Sequence, residues 1–203
     1  MTSRVASAAL AIAIALSVLA ATTTGTATGS AAAAEGSSYA AKSRTKVAFT
    51  VSGCEGCRLR LTQARDGRKN VWQSKSRTVT DGLVTWRVPT SRTRGLSVTV
   101  LAPWDGGAGY VPTVAFRYAG TDVGDTVTNA TAKSKKRASA CWAGTTRSAV
   151  TVPITVVRAD GVTPTGQRIK TPRAFASVTQ RWDQPMERVR RGISGTQDVV
   201  FCG

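Results

Sequence analysis

From residue 47 onward the chain is written in short apolar alternations. Val47, Phe49 and Val51 alternate with Ala48, Thr50 and Ser52, the period of two that a half-buried strand requires. Leu59 and Leu61 alternate with Arg58 and Arg60, and Val84, Trp86 and Val88 share a face up to Pro89. Leu96, Val98, Val100 and Ala102 make the clearest buried strand of the first half, and Val114, Phe116 and Tyr118 make another. Later come Val150 to Val156, where Pro153 argues for an edge or a bulge, and Ala174, Ala176 and Val178 with Phe175 on the opposite face. The stretch from Val71 to Thr80 is polar and reads as an edge strand, its Lys75 and Arg77 discouraging pairing with other chains. Thr126 to Thr131 reads as a short strand, and Gln197 to Cys202 as a terminal one. Turn signals separate these runs: Arg65 to Arg68, Asp81-Gly82, Gly120 to Asp125 and Ala159-Asp160-Gly161. No stretch keeps a helical period, and Pro185 breaks the arginine-bearing tail, so the pattern predicts an all-β, antiparallel sandwich.

The segment Asp81-Gly82-Leu83-Val84-Thr85-Trp86-Arg87-Val88-Pro89, a short loop and a Val-rich strand resembles the strand pairs of prealbumin-like sandwiches in bacterial surface repeats and carboxypeptidase regulatory domains. The fold class expected is thus an antiparallel β-sandwich, immunoglobulin-like or prealbumin-like, stapled by disulfides. Gly53-Cys54-Glu55-Gly56-Cys57, Ala102-Pro103-Trp104-Asp105-Gly106 ahead of Gly109-Tyr110-Val111-Pro112, Cys141-Trp142-Ala143-Gly144-Thr145-Thr146 and Gln197-Asp198-Val199-Val200-Phe201-Cys202 together resemble a family of small exported actinobacterial proteins. That likeness spans nearly all of the chain after its first segment. It implies a fold, and brings neither an activity nor functional residues.

The first segment has one cation, Arg4, then an uncharged run from Val5 to Ala21, then a small-residue tract ending in Ala31-Ala32-Ala33-Ala34. This is the layout of a secretory signal peptide. No cysteine stands near the cleavage region and no arginine pair precedes the apolar run, so general secretion of a soluble product is expected, with no stable membrane insertion after cleavage. The organisation read from the chain is residues 1–34 as signal peptide, 35–45 as flexible lead, 46–132 as a first β half and 133–139 as a basic connector. Residues 140–203 form a second β half, packed on the first or standing as a small second domain.

Charge changes the picture more than composition does. The chain carries 28 Lys and Arg against 11 Asp and Glu, a formal net charge of +17. Such a balance selects anionic partners: a wall polymer, a polysaccharide or an acidic extracellular protein, with no specific nucleic-acid reading. The polyanion contacts it nominates are Lys133, Lys135, Lys136 and Arg137 in the connector and Arg188, Arg190 and Arg191 in the tail. Histidine is absent, which removes Ser-His-Asp, Cys-His and every other mechanism that needs imidazole.

The four cysteines Cys54, Cys57, Cys141 and Cys202 pose a choice between redox centre, zinc site and disulfides. A thioredoxin-like CxxC needs a helix N-terminus, whereas this one lies between two strand runs with Glu55 inside it, and the carboxylate disfavours a thiolate. A four-thiolate zinc site wants two closely spaced knuckles, and only one CxxC is present, so no metal is expected. Export favours disulfides, with Cys54–Cys57 and Cys141–Cys202 the preferred pairing; crossed pairings, which would tie the halves together, stay open because spacing cannot settle connectivity.

The most ligand-like loop is Trp104, Asp105, Gly106 and Gly107 through Tyr110, glycine-rich between two aromatics; it reads first as a connection whose aromatics pack back on the sandwich and second as a ligand loop, and without a following helix or a Lys-Ser pair it is no phosphate loop. Trp72, Trp104 and Tyr110 offer stacking faces, whereas Trp86 and Trp142 lie in apolar patterning and read as core. Asp105, Asp122, Asp125, Asp183 and Glu187 are the carboxylates a glycoside hydrolase would draw on, yet most sit in turns or beside arginines. The expectation is a secreted, extracellular or envelope-associated protein that binds anionic or glycan polymers, without catalysis and without a cofactor. The alternatives are a protein-interaction module such as an inhibitor and, further off, the carboxylate hydrolase.

Overall fold

Thr45, Val47, Phe49 and Val51 turn one face of β1 (Arg44–Ser52) inward, and Val84, Trp86 and Val88 do the same for β5 (Leu83–Pro89). The two strands pair antiparallel with Val47 opposite Trp86, and the Phe49 and Trp86 rings meet edge to face at 5.9 Å. The computed structural model describes residues 43–65, 70–106, 112–134, 136–163, 165–184, 186–188 and 201–203. Residues 1–34, expected as a signal peptide, most of the expected lead, Asp66 to Arg68 of the expected turn and Gln197 to Val200 lie outside them.

The first sheet has the order β10-β9-β1-β5, with β9 at Ala149–Val162 and β10 at Arg168–Ala176. The second is built on β2 (Arg58–Arg65). It pairs antiparallel with β6 (Leu96–Leu101) and with the two-residue strands β3 (Trp72–Gln73) and β4 (Arg77–Thr78). β12 (Phe201–Cys202) lies parallel to the end of β2. A small third sheet orders β11 (Glu187–Arg188), β8 (Arg137–Ser139) and β7 (Arg117–Tyr118), with a six-residue helix α1 (Asn129–Ser134) just before it. The inner faces of the first two sheets feed one apolar core, including Val47, Phe49, Leu59, Leu61, Val98 and Ile154. A smaller cluster of Tyr118, Phe175, Ala115, Val127, Ala132 and Ala138 fills the space beneath α1.

The all-β reading holds, and two features of the expected sheet change. The sheets are mixed: β1 runs parallel to β9, Phe49 opposite Val152, and β12 runs parallel to β2. The two halves divided by the basic run therefore share one sheet. Pro153, expected at an edge or bulge, lies within the inner strand β9, opposite Thr50 of β1 and one residue beyond the β10 ladder, which ends at Ile154. Its carbonyl accepts the Ser177 N–H just past the end of β10, so its missing donor falls where that ladder stops.

Four local expectations also give way. Ala159-Asp160-Gly161, expected as a turn, lies inside β9, where these residues pair with Thr171, Lys170 and Ile169 of β10, so the hairpin turns only after Val162. Val71 to Thr80 is broken into β3 and β4 because serines replace the ladder between them. Ser74 Oγ accepts the Leu61 N–H at 3.0 Å and Ser76 Oγ donates to the Leu59 carbonyl at 3.3 Å. Thr126 to Thr131 enters a helix instead of a strand, Thr128 Oγ1 capping the Thr131 N–H at 3.1 Å. The Val114 to Tyr118 alternation yields only β7, because the segment changes partners: Ala115 bridges Phe175 while Phe116 donates to the Ser139 carbonyl.

Both edges of the first sheet are covered. On β5, Arg44 and Arg77 donate to the outward carbonyls of Arg87 and Thr85. On β10, the Lys170 and Ala174 carbonyls accept the N–H groups of Gly106 and Ala115. Guanidinium groups on edge carbonyls stop further strands from adding.

Candidate anion-binding surface

The Gly53-Cys54-Glu55-Gly56-Cys57 turn joins β1 of the first sheet to β2 of the second. Gly53 and Gly56 both adopt left-handed backbone, φ 79° and 73°. A Cβ on Gly53 would come within 2.2 Å of the Val156 carbonyl oxygen, so only glycine lets β9 pass. Cys54 and Cys57 are joined as a disulfide. Glu55 accepts the Asp81 and Gly82 N–H groups, one on each carboxylate oxygen, both at 3.1 Å. Those two residues are the hairpin centre, with φ 52° and 66°, so a carboxylate from one turn holds the backbone of another. Sequence reading finds the turn and the clasp, and misses this role of Glu55.

Cys141–Cys202 is the second disulfide, and no free cysteine occurs among the described residues. As cystines these sulfurs are neither thiolate nucleophiles nor thiolate ligands, and persistent disulfides belong to an oxidising compartment. Among the described residues no helix is long and apolar enough to cross a membrane.

The loop at Trp104 is docked. Asp105 closes a turn onto the Ala102 carbonyl, Gly106 donates to the Lys170 carbonyl at 3.0 Å, and a Cβ at Gly106 would lie 3.1 Å from that of Ile169. Trp104 packs against the main core and carries the Arg158 guanidinium over its ring at 4.7 Å. Trp72 likewise packs on the core, with Arg92 over its ring at 4.9 Å. Each indole offered as a stacking face thus has a cation on it. Gly107 and Tyr110 lie outside the described residues. Trp86 and Trp142 are buried, as core residues should be.

The basic residues converge instead. The run expected as a connector carries the last turn of α1 and leads into β8, with Lys133, Lys136 and Arg137 all exposed. β8 pairs antiparallel with β11 so that Arg137 stands opposite Arg188. Connector and tail, far apart in sequence, meet at this register. Lys135, Arg190 and Arg191 lie outside the described residues.

Beside them, β7 sets Arg117 opposite Ser139. Arg117 is half-buried, and its Nε and Nη1 are enclosed with no hydrogen-bond partner. Sequence reading passes over Arg117; its one signal is a cation at the polar position between Phe116 and Tyr118. On the other face Tyr118 is buried, its hydroxyl likewise without a hydrogen-bond partner. Desolvation pushes this phenol well above its ordinary pKa against the pull of nearby Arg173, so it stays protonated. Burial in turn lowers the pKa of Arg173, which donates to Asn129 Oδ1 at 3.3 Å.

The carboxylates are engaged locally. Asp125 Oδ2 accepts the Asp122 N–H at 2.5 Å, closing their shared turn. The Asp183 carboxylate is buried and accepts Arg94 Nε at 2.6 Å, while its backbone N–H donates to the Cys141 carbonyl. Asp160 pairs with Lys170 at 2.5 Å on the surface.

Comparison of the chain with protein-family models, with curated proteins and with solved structures finds no match.

Proposed function

We propose that the protein is a secreted, non-catalytic binding module of the extracellular space or cell envelope, a β-sandwich of immunoglobulin-like or prealbumin-like kind that holds anionic or glycan polymers on a basic surface. The signal-like first segment and the two disulfides fit an exported chain, and the shared core of the two larger sheets fits a sandwich. The observation that carries the reading is the β8–β11 register, with Arg188 across from Arg137 and with Lys133 and Lys136 exposed nearby. Like charges set directly opposite each other cost a sheet stability, so the fold gains nothing from the pairing and a polyanion does. The ion pairs formed between described side chains, Arg94–Asp183 and Lys170–Asp160, leave out Lys133, Lys136 and Arg137.

The test is retention of the chain from residue 35 onward on heparin-like and isolated wall-polymer matrices across a salt series. Affinity should fall linearly on logarithmic axes. The triple variant Lys133→Gln, Lys136→Gln, Arg137→Gln should flatten the slope by about 2 units, since each cation that neutralises a charge on the polymer contributes about 0.7–0.9. No retention at low salt, or a slope the triple variant leaves unchanged, refutes the reading.

A further inference from the structure

We propose that Arg117 and Arg137, diagonal neighbours on the small sheet, form a phosphate subsite that holds one phosphate group of the bound polymer, beside Ser139, which is itself buried with its hydroxyl accepting the Cys141 N–H. This rests on the polyanion reading above and names the chemistry at its centre. Tyr118 and Ala138 pack into the cluster beneath α1, so strand alternation puts positions 117, 137 and 139 on the opposite face. With Arg117 opposite Ser139, Arg137 is its diagonal neighbour across the pair, about 7–8 Å away, a span that a tetrahedral oxyanion bridges when each guanidinium donates to different oxygens.

The state of Arg117 is the independent observation. Its Nε and Nη1 are enclosed without an acceptor, so Nη2 is the nitrogen at which the half-buried side chain meets solvent. A guanidinium buried to that depth without a counter-ion is poorly solvated, and an anion at Nη2 supplies what the fold withholds. The described ion pairs, Arg94–Asp183 and Lys170–Asp160, do not include Arg117. Two guanidinium groups within reach of one oxyanion favour a phosphate over a single carboxylate, because several of its oxygens accept planar N–H pairs at once.

The experiment measures binding of the chain from residue 35 onward to linear polyphosphate and to polygalacturonate at matched ionic strength, with inorganic phosphate as a free competitor. The native chain should prefer polyphosphate, and Arg117→Lys, which keeps the charge and loses the planar fork, should reduce that preference about tenfold with its salt slope intact. Lys133→Gln should lower the slope and leave the preference alone. Near-UV circular dichroism reports whether Arg117→Lys is folded; if it is not, Arg137→Lys carries the same expectation. A native chain that binds both polymers without preference overturns the subsite while sparing the basic surface, as does a preference that survives both lysine variants. Thermal protection by inorganic phosphate without polyphosphate binding also overturns it, by assigning the site to the free ion. Binding to neither polymer overturns both readings.

Discussion

Gly53 and Gly124 both hold positive φ, 79° and 97°, yet their surroundings differ completely. A Cβ at Gly124 meets nothing within 4 Å, whereas one at Gly53 meets the Val156 carbonyl at 2.2 Å. Gly124→Ala should therefore cost only the left-handed strain of an L-residue, about 1–2 kcal/mol. Gly53→Ala adds the displacement of a packed strand and should cost about 3–4 kcal/mol, read from urea midpoints; equal losses would contradict the close approach. Titration offers a second residue-level check at Asp160. The hydrogen bond from Lys170, and then its charge, hold this carboxyl below its ordinary value of 3.8. A depressed folded-state pKa stabilises above the unfolded value and is lost as pH falls through the folded one, so the pair helps from about pH 4 upward and fades in acid. Lys170→Gln should move the Asp160 carboxyl resonance titration up toward the ordinary range, with Arg168 and Lys133 still holding it below. The effect on stability should be slight, since both groups are solvated.

At the scale of elements, the two disulfides constrain the unfolded chain unequally. Cys54–Cys57 closes a turn, at a sequence separation of 3, and Cys141–Cys202 closes a loop at a separation of 61. Replacing Cys141 and Cys202 by alanine should lower stability by about 4 kcal/mol and replacing Cys54 and Cys57 by about 2 kcal/mol, measured by denaturant unfolding. The longer bridge also anchors β12 to the edge of β2, so its loss should expose Cys202's neighbours to proteolysis first. Strands β1, β2, β5 and β6, most of β9 and the end of β10 are legible in the sequence because their apolar positions face a shared core, which writes itself as alternation, whereas the polar end of β9 and start of β10 read as a loop. β3, β4, β7 and α1 are not legible, for reasons local to each. Ser74 and Ser76 substitute side-chain bonds for ladder bonds, Phe116 answers to Ser139 while Ala115 answers to Phe175, and Thr128 caps a helix too short for a period to develop. Charge makes the basic runs visible, but only pairing between strands shows that Arg137 stands opposite Arg188, and only burial singles out Arg117.

For the molecule as a whole, the decisive contact is the parallel pairing of β1 with β9. It is reinforced where Thr45 Oγ1 donates to the Arg147 carbonyl across 102 residues of sequence. Such non-local pairing places refolding of the disulfide-intact chain in the millisecond-to-second range, which stopped-flow fluorescence of the buried Trp86 and Trp142 would follow; microsecond folding would contradict it. The same pairing matters during synthesis. Elongation at about 5–20 residues per second leaves roughly 5–20 seconds between the appearance of Thr45 and that of Arg147. Throughout that interval Val47, Phe49 and Val51 lack their neighbour on one side. A ribosome-bound chain therefore cannot complete its first sheet until its last third is being made, and one strand face stays unpartnered until then.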